Sequence, residues 1–156
     1  MPKTSITLRM IDMVDSILDG LYGSGVLQLA ANITRTRRLD RPDITVTRRS
    51  SLCGSHITID VVFAGDLVQD YAQTIQACVL GQASAAVVGQ QVIGRSAAEI
   101  VAVESAMRNM LQNGASPPEG DWSALQALES SRESPSRHGA ILLPFAALIE
   151  AFDFIA

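Results

Sequence analysis

The chain has 156 residues, of which 47% are apolar and 18% charged, with a formal net charge of −4 and few aromatic side chains: four Phe, two Tyr and one Trp. That length fits a single domain over residues 1–156 and can bury a core without help from a metal or disulfide. The acidic balance speaks against non-specific nucleic-acid binding, and the shortage of aromatics asks for an aliphatic, alanine-rich core of closely packed helices.

Residues 1–20 read as a helical extension, with Leu8, Ile11, Val14 and Ile17 at helical spacing and Gly20 to close the helix. Asp12, Asp15 and Asp19 interrupt its most apolar part, unlike a secretory h-region or a membrane span, so a cytoplasmic protein without membrane association is expected. A second short helix is predicted from Ser24 to Asn32. Six of the eleven arginines follow within fifteen residues: Arg35, Arg37, Arg38, Arg41, Arg48 and Arg49. They read either as a solvated loop and strand edge or as a docking patch for an acidic partner protein.

Ile44 and Val46 alternate with threonines as in a half-buried strand. A second strand from His56 to Phe63 puts Ile57, Ile59, Val61 and Phe63 on one face and Thr58 and Asp60 on the other, and Ala64, Gly65 and Asp66 supply the turn. A third, from Leu67 to about Ile75, places Leu67, Tyr71 and Ile75 on a shared face. The result is an antiparallel meander with one wet face and one that needs cover.

From Cys78 the sequence changes to small residues and valines, which suits a helix of about fifteen residues ending near Gly94 and able to lie close against a sheet. Ser96 and Glu99 have the spacing of a capping box, ahead of a helix whose apolar stripe is Ile100, Val103, Met107, Met110 and Leu111. A loop from Asn113 to Asp121 leads to a short helix, Trp122 to Leu128, with Trp122 in the core, and then a polar run. In the last helix Leu142, Phe145, Leu148, Ile149 and Phe152 form a buried stripe. Pro144 belongs in a first helical turn, so this helix is expected to start between His138 and Ile141. Three strands followed by helices make the fold α+β, a three-stranded antiparallel sheet with helices packed on one face.

The chemistry-bearing residues are few. In a reducing compartment the two cysteines, Cys53 and Cys78, are free thiols or ligands rather than a structural disulfide. They lie symmetrically about the turn between Gly65 and Asp66, so a hairpin brings both to one end. Cys53 stands near Ser55 and His56, Cys78 at a helix start, where the helix field favours a thiolate, and His138 at the start of the last helix. Thiolates and imidazoles are ligands for iron and zinc. The plainer reading makes the cysteines small hydrophobes and His138 a surface or capping residue.

The LCGS around Cys53, the ACVLGQASAA around Cys78 and the RHGAILLPF from Arg137 together resemble the three ligand-bearing motifs of the iron–sulfur cluster assembly scaffold family: the NifU N-terminal, IscU and SufU-like proteins. The resemblance runs from about Tyr22 to the C-terminus and implies a SufE/NifU-like scaffold fold. It implies a site in which cysteines and an aspartate hold a nascent iron–sulfur cluster or zinc and accept sulfur from a cysteine desulfurase. Cys53 and Cys78 match the first two cysteines. Ser55 stands where the family has its aspartate, Ala140 where it has the third cysteine, and SPSRH where the IscU branch carries its chaperone-binding segment.

Three functions follow as expectations. The first is a non-enzymatic scaffold or carrier that binds metal or persulfide through Cys53 and Cys78, with His138 or His56 completing the ligand set. The second is a protein-interaction module that docks on a desulfurase without holding a cluster. The third is a thiol-dependent sulfurtransferase with Cys78 as nucleophile.

Overall fold

A computed structural model describes residues 25–51 and 54–156. The helix expected over residues 7–18, its closing Gly20, and Cys53 lie outside the described residues. The described chain opens with a short helix, α1 (Val26–Ala31), and continues into three strands, β1 (Ile44–Arg49), β2 (His56–Ala64) and β3 (Leu67–Gln76). They form one antiparallel sheet in the order β1-β2-β3, the expected meander.

Register explains which side chains face inward. Val46 is level with Ile59, which is level with Gln73, and Ile44, Val61 and Tyr71 form the next row. These rows make an inner face on which Val46, Ile57, Ile59, Val61 and Tyr71 are buried. The β2–β3 hairpin turns through Gly65 and Asp66, as the sequence suggests, but its register shifts between Val62 and Phe63. Gln69 is the extra residue; Tyr71 and Ile75 keep the expected shared face, level with Val61 and Ile57, but the bulge puts Val68, 1% exposed, there in place of Leu67, which is 39% exposed. An unbroken period of two cannot survive one inserted residue.

The outer face is not simply wet. Asp60 is fully buried there, accepting bonds from Arg38 Nε (2.6 Å) and Nη2 (3.0 Å), from the Thr45 hydroxyl (2.6 Å) and from the Leu39 amide (3.1 Å). The arginine-rich connection therefore lies over the sheet. Arg35 has a left-handed φ of 60°, uncommon outside glycine, and is held by three contacts. Its carbonyl accepts from Gln73 N (2.8 Å), its Nε donates to Gly89 O (2.9 Å), and its Nη1 lies 3.8 Å from Asp70. Two of the clustered arginines are thus part of the scaffold. Farther along β3, Val68 N donates to Arg95 O and Val68 O accepts from Gly94 N, so the exposed edge of β3 is covered at both points.

Next comes α2 (Val79–Gln91), thirteen residues with Cys78 at its N-cap. The sequence suggests a helix against a sheet; the structure makes it the central rod of the core. All residues from Ala83 to Gly89 are buried, and the helix meets α1, β3, the last helix and the 3₁₀ segment. A helix surrounded in this way is apolar all round rather than striped, which is the reason for its run of Ala, Val and Gly.

In α3 (Ala97–Asn113) the stripe Ile100, Val103, Met107, Met110 and Leu111 is buried as expected. Ser96 Oγ accepts from Glu99 N (3.3 Å), and Gly114 closes the helix at a φ of 69°. The segment Gly120–Glu133 is a fourteen-residue 3₁₀ helix, longer than the expected Trp122–Leu128 helix. Trp122, Leu125, Leu128 and Ser131 are buried at intervals of three, the period of a helix with three residues per turn. Arg95 lies 5.6 Å over the Trp122 ring, which is 6.0 Å from Phe145. A 3₁₀ turn (Pro135–Arg137) leads into α4 (His138–Phe152).

Pro144 corrects the sequence reading of α4. It is the seventh residue of the helix, not part of its first turn. Lacking an amide hydrogen, it leaves the Ala140 carbonyl without its usual helical donor. The Ser84 hydroxyl donates to the neighbouring Ile141 carbonyl (2.6 Å), so α2 supplies a bond where the α4 ladder is disturbed.

Candidate functional site

The three motif-bearing segments meet at one end of the molecule. The loop after β1 is closed by Ser50 N donating to Ser55 O (2.7 Å), and Gly54 sits in it at a φ of 70°, a conformation that favours glycine. His56 and Gln76 are the last pair of the β2–β3 ladder, and two steps beyond them lie Gly54 and Cys78. Counted on at the register of that last pair, Cys78 aligns with Gly54, one residue away from the symmetry predicted by counting from the turn, because of the bulge.

Cys78 is partly exposed and is the one free cysteine among the described residues. It precedes α2 with extended backbone, a ψ of 170°, and its side chain makes no capping bond. Its carbonyl accepts from Gln82 N (3.1 Å), and the Gln82 side chain returns a bond to Ala77 O (3.0 Å), which fixes the helix entry. The thiol thus stands at the start of a thirteen-residue helix, beside its first-turn amides.

The start of α4 closes the third side. A Cβ built on Gly139 would lie 2.7 Å from Ser50 Oγ, and one built on Gly81 would lie 3.3 Å from Ala140 Cβ and 3.2 Å from the Ala140 carbonyl. A side chain at Gly81 would also meet Ala77 Cβ at 2.7 Å, so both glycines sit where three segments crowd together. Gly81 belongs to the run of small residues expected to let its helix pack closely, whereas Gly139 is the residue that sequence reasoning passed over, its signal being a glycine inside a helix beside a motif position. Ala140 is fully buried and abuts the first turn of α2, three residues beyond Cys78.

The remaining candidates separate. Ser55 is buried, 4% exposed, behind the loop. His56 opens β2 on the outer face of the sheet, opposite in sense to the inward Ile57. His138 is buried, and its Nε2 lies 2.9 Å from the Ser131 carbonyl, so one ring nitrogen is engaged by the 3₁₀ helix. Among the described residues, no three His, Cys, Asp or Glu side chains gather into a group able to hold a metal ion. No helix among them is long and apolar enough to cross a membrane.

The donor set can be tested against a cluster on these grounds. Cys78 offers a soft sulfur donor at an accessible helix start, which fits iron or zinc; Ala140 offers no donor at all, and a hydroxyl such as that of Ser55 is a weaker ligand than a carboxylate. The described side chains therefore supply a partial cradle.

No protein-family profile matches the chain. Among solved structures, the N-terminal part of a nitrogen-fixing NifU-like protein from Brucella abortus superposes with a TM-score of 0.83 at 36% identity, covering 88% of this chain and 96% of that one. A protein from Fervidobacterium islandicum, assigned to iron–sulfur cluster assembly for the SUF system, shares the fold with a TM-score of 0.76 at 21% identity over 86% of this chain and 98% of that one. The iron–sulfur cluster assembly scaffold protein IscU of Streptococcus pyogenes serotype M1 is 28% identical over 99 residues, 64% of this chain and 62% of that protein's own length. High identity across nearly the whole NifU-like domain, on a shared α+β fold whose three motif segments converge, decides the question: the chain belongs to the iron–sulfur cluster assembly scaffold family.

Proposed function

We propose that the protein is a scaffold or carrier in iron–sulfur biogenesis that takes metal or persulfide on Cys53 and Cys78 and receives sulfur from a cysteine desulfurase. The observation that carries this reading is the position of Cys78, a partly exposed thiol at the N-cap of the central helix, at the end of the hairpin where the Ser50–Ser55 loop and the start of α4 meet. The cluster or ion is cargo, and the chain's contribution is to hold thiolates and exclude water around them. Anaerobic reconstitution with iron and sulfide is expected to give a visible chromophore that is lost in Cys78→Ala and in Cys53→Ala. A colourless, iron-free protein after that treatment would overturn the reading.

The buried Ala140 favours a second reading, in which the family's fold is kept as a docking module for the desulfurase without a cluster. That reading requires the Cys53→Ala, Cys78→Ala double variant to bind the desulfurase as the wild type does. Ala140→Cys separates the two: a scaffold short of one thiolate gains iron on reconstitution, whereas a docking module is unchanged.

A further inference from the structure

A cavity adjoining the cysteine mouth, with which it shares Ser50, His138 and Gly139, lies between the end of β1, the C-terminal part of α3, the 3₁₀ segment and the start of α4, with a volume of about 570 Å³. Arg48, Arg49, Arg108 and Arg132 line it, together with Ser50 and Ser51. No Asp or Glu is among the lining residues. In a chain whose net charge is −4, four of the eleven arginines around one concavity make a local field opposite in sign to the whole molecule.

Neutralisation of these guanidiniums comes from outside the cavity and is incomplete. Glu150 lies 3.3 Å from Arg48, Glu104 pairs with Arg108, and Glu129 lies 3.3 Å from Arg132. These are exposed pairs of small net strength. Arg132 is positioned further by its Nε, which donates to the Met110 carbonyl (3.2 Å). Arg49 has no ion pair or hydrogen bond among the described residues. The volume falls within the range of small-molecule sites and is much larger than a bare ion needs, and Leu142, Leu143 and Pro135 give part of the wall an apolar character.

We propose that this cavity is a binding site for a small organic oligophosphate, held by guanidiniums contributed from β1 on one side and from α3 and the 3₁₀ helix on the other. Phosphate is preferred to carboxylate for a stated reason. Three of the four arginines already hold a glutamate, so a ligand has to offer more charge and more acceptor atoms per group than a carboxylate; a phosphate group brings nearly two charges and three acceptor oxygens. Arginine matches such groups with paired donors. The cavity borders the candidate site, but the inference goes beyond the cluster-scaffold reading and is tested apart from it, because binding by the arginines needs neither cysteine.

The test is a titration of the full chain with pyrophosphate, orthophosphate and citrate, followed by amide chemical shifts and calorimetry. Saturable pyrophosphate binding is expected, tighter than for orthophosphate, with shifts at Ser50, Ser51, Gln112 and Gly139. Arg49→Gln and Arg108→Gln, both at exposed positions, are each expected to weaken it about tenfold. Arg41→Gln, which removes the same charge outside the cavity, is expected to leave it within about twofold, since an exposed charge beyond a Debye length is screened. Absence of saturation, shifts centred elsewhere, or equal weakening by Arg41→Gln would overturn the site. Citrate binding as tight as pyrophosphate would overturn its phosphate preference.

Discussion

The two faces of the sheet hold their neighbours by different physics. On the inner face, Ile57, Ile59 and Val61 are fully buried on the side of the sheet that α2 and α4 cover, α4 against β2 and α2 against β3, and the contribution is the removal of apolar area from water, about 1.5–3 kcal/mol for each such side chain. On the outer face, one buried carboxylate, Asp60, gathers a guanidinium, a hydroxyl and an amide from two separate segments. The inner face depends on apolar volume and close packing. The outer one depends on charge and geometry, so it is the face that pH and single polar substitutions disturb.

The largest expected effect lies on the inner face. Ile59→Ala should cost about 2–5 kcal/mol of unfolding free energy, read from denaturant melts, because it leaves a cavity in the middle of three strands. Next comes Gly89→Ala, at the junction of the two faces. Its Cβ would stand 2.8 Å from Gln73 Nε2 and 2.9 Å from Thr34 Oγ1, displacing an amide that donates to Thr34 O and Ala85 O. A loss of about 1–3 kcal/mol is expected, and a change near zero would show that the Gln73 contacts are dispensable.

Asp60→Ala should cost a comparable or smaller amount, about 1–3 kcal/mol, since the Thr45 hydroxyl and the Leu39 amide lose their acceptor. Its pH dependence distinguishes it from Ile59→Ala. Burial alone would raise the Asp60 pKa, but the hydrogen bonds from Arg38, Thr45 and Leu39 and the charge of Arg38 outweigh that, and the carboxyl is held below the usual aspartate value. A carboxylate with a depressed pKa contributes stability above its unfolded value, and that stability is lost as pH falls through the folded value. Wild-type protein and Ile59→Ala should therefore share an acid-side decline in stability below about pH 4 that is reduced in Asp60→Asn. Parallel acid limbs in all three would remove Asp60 from the account. The smallest effect, about 1 kcal/mol, is expected for Ser96→Ala, which removes the N-cap of α3 and leaves its backbone bridge to Leu67 in place.

Local patterns in the chain were readable where a single period persisted. The β2 alternation, the α3 stripe and the capping serine at Ser96 needed only the geometry of their own element. The reading failed where an insertion or a distant partner intervened. The Gln69 bulge exchanged Val68 for Leu67, the three-residue rhythm from Trp122 to Ser131 marked a long 3₁₀ helix, and Pro144 is accommodated in α4 beside a Ser84 hydroxyl that arrives from α2.

The same division holds at the site. The sequence alone determined the two thiols, the helix start beneath Cys78, the α+β class and the family likeness, because residue type and short spacing carry all of these. Only the tertiary structure decided that His138 turns a ring nitrogen to Ser131, that Gly81 admits Ala140 against the first turn of α2, and that Arg38 pairs with the buried Asp60. It also decided that Arg108 and Arg132 join Arg48 and Arg49 around one cavity. Each of these joins residues far apart in the chain, and such contacts are set by packing and register, which no local period encodes.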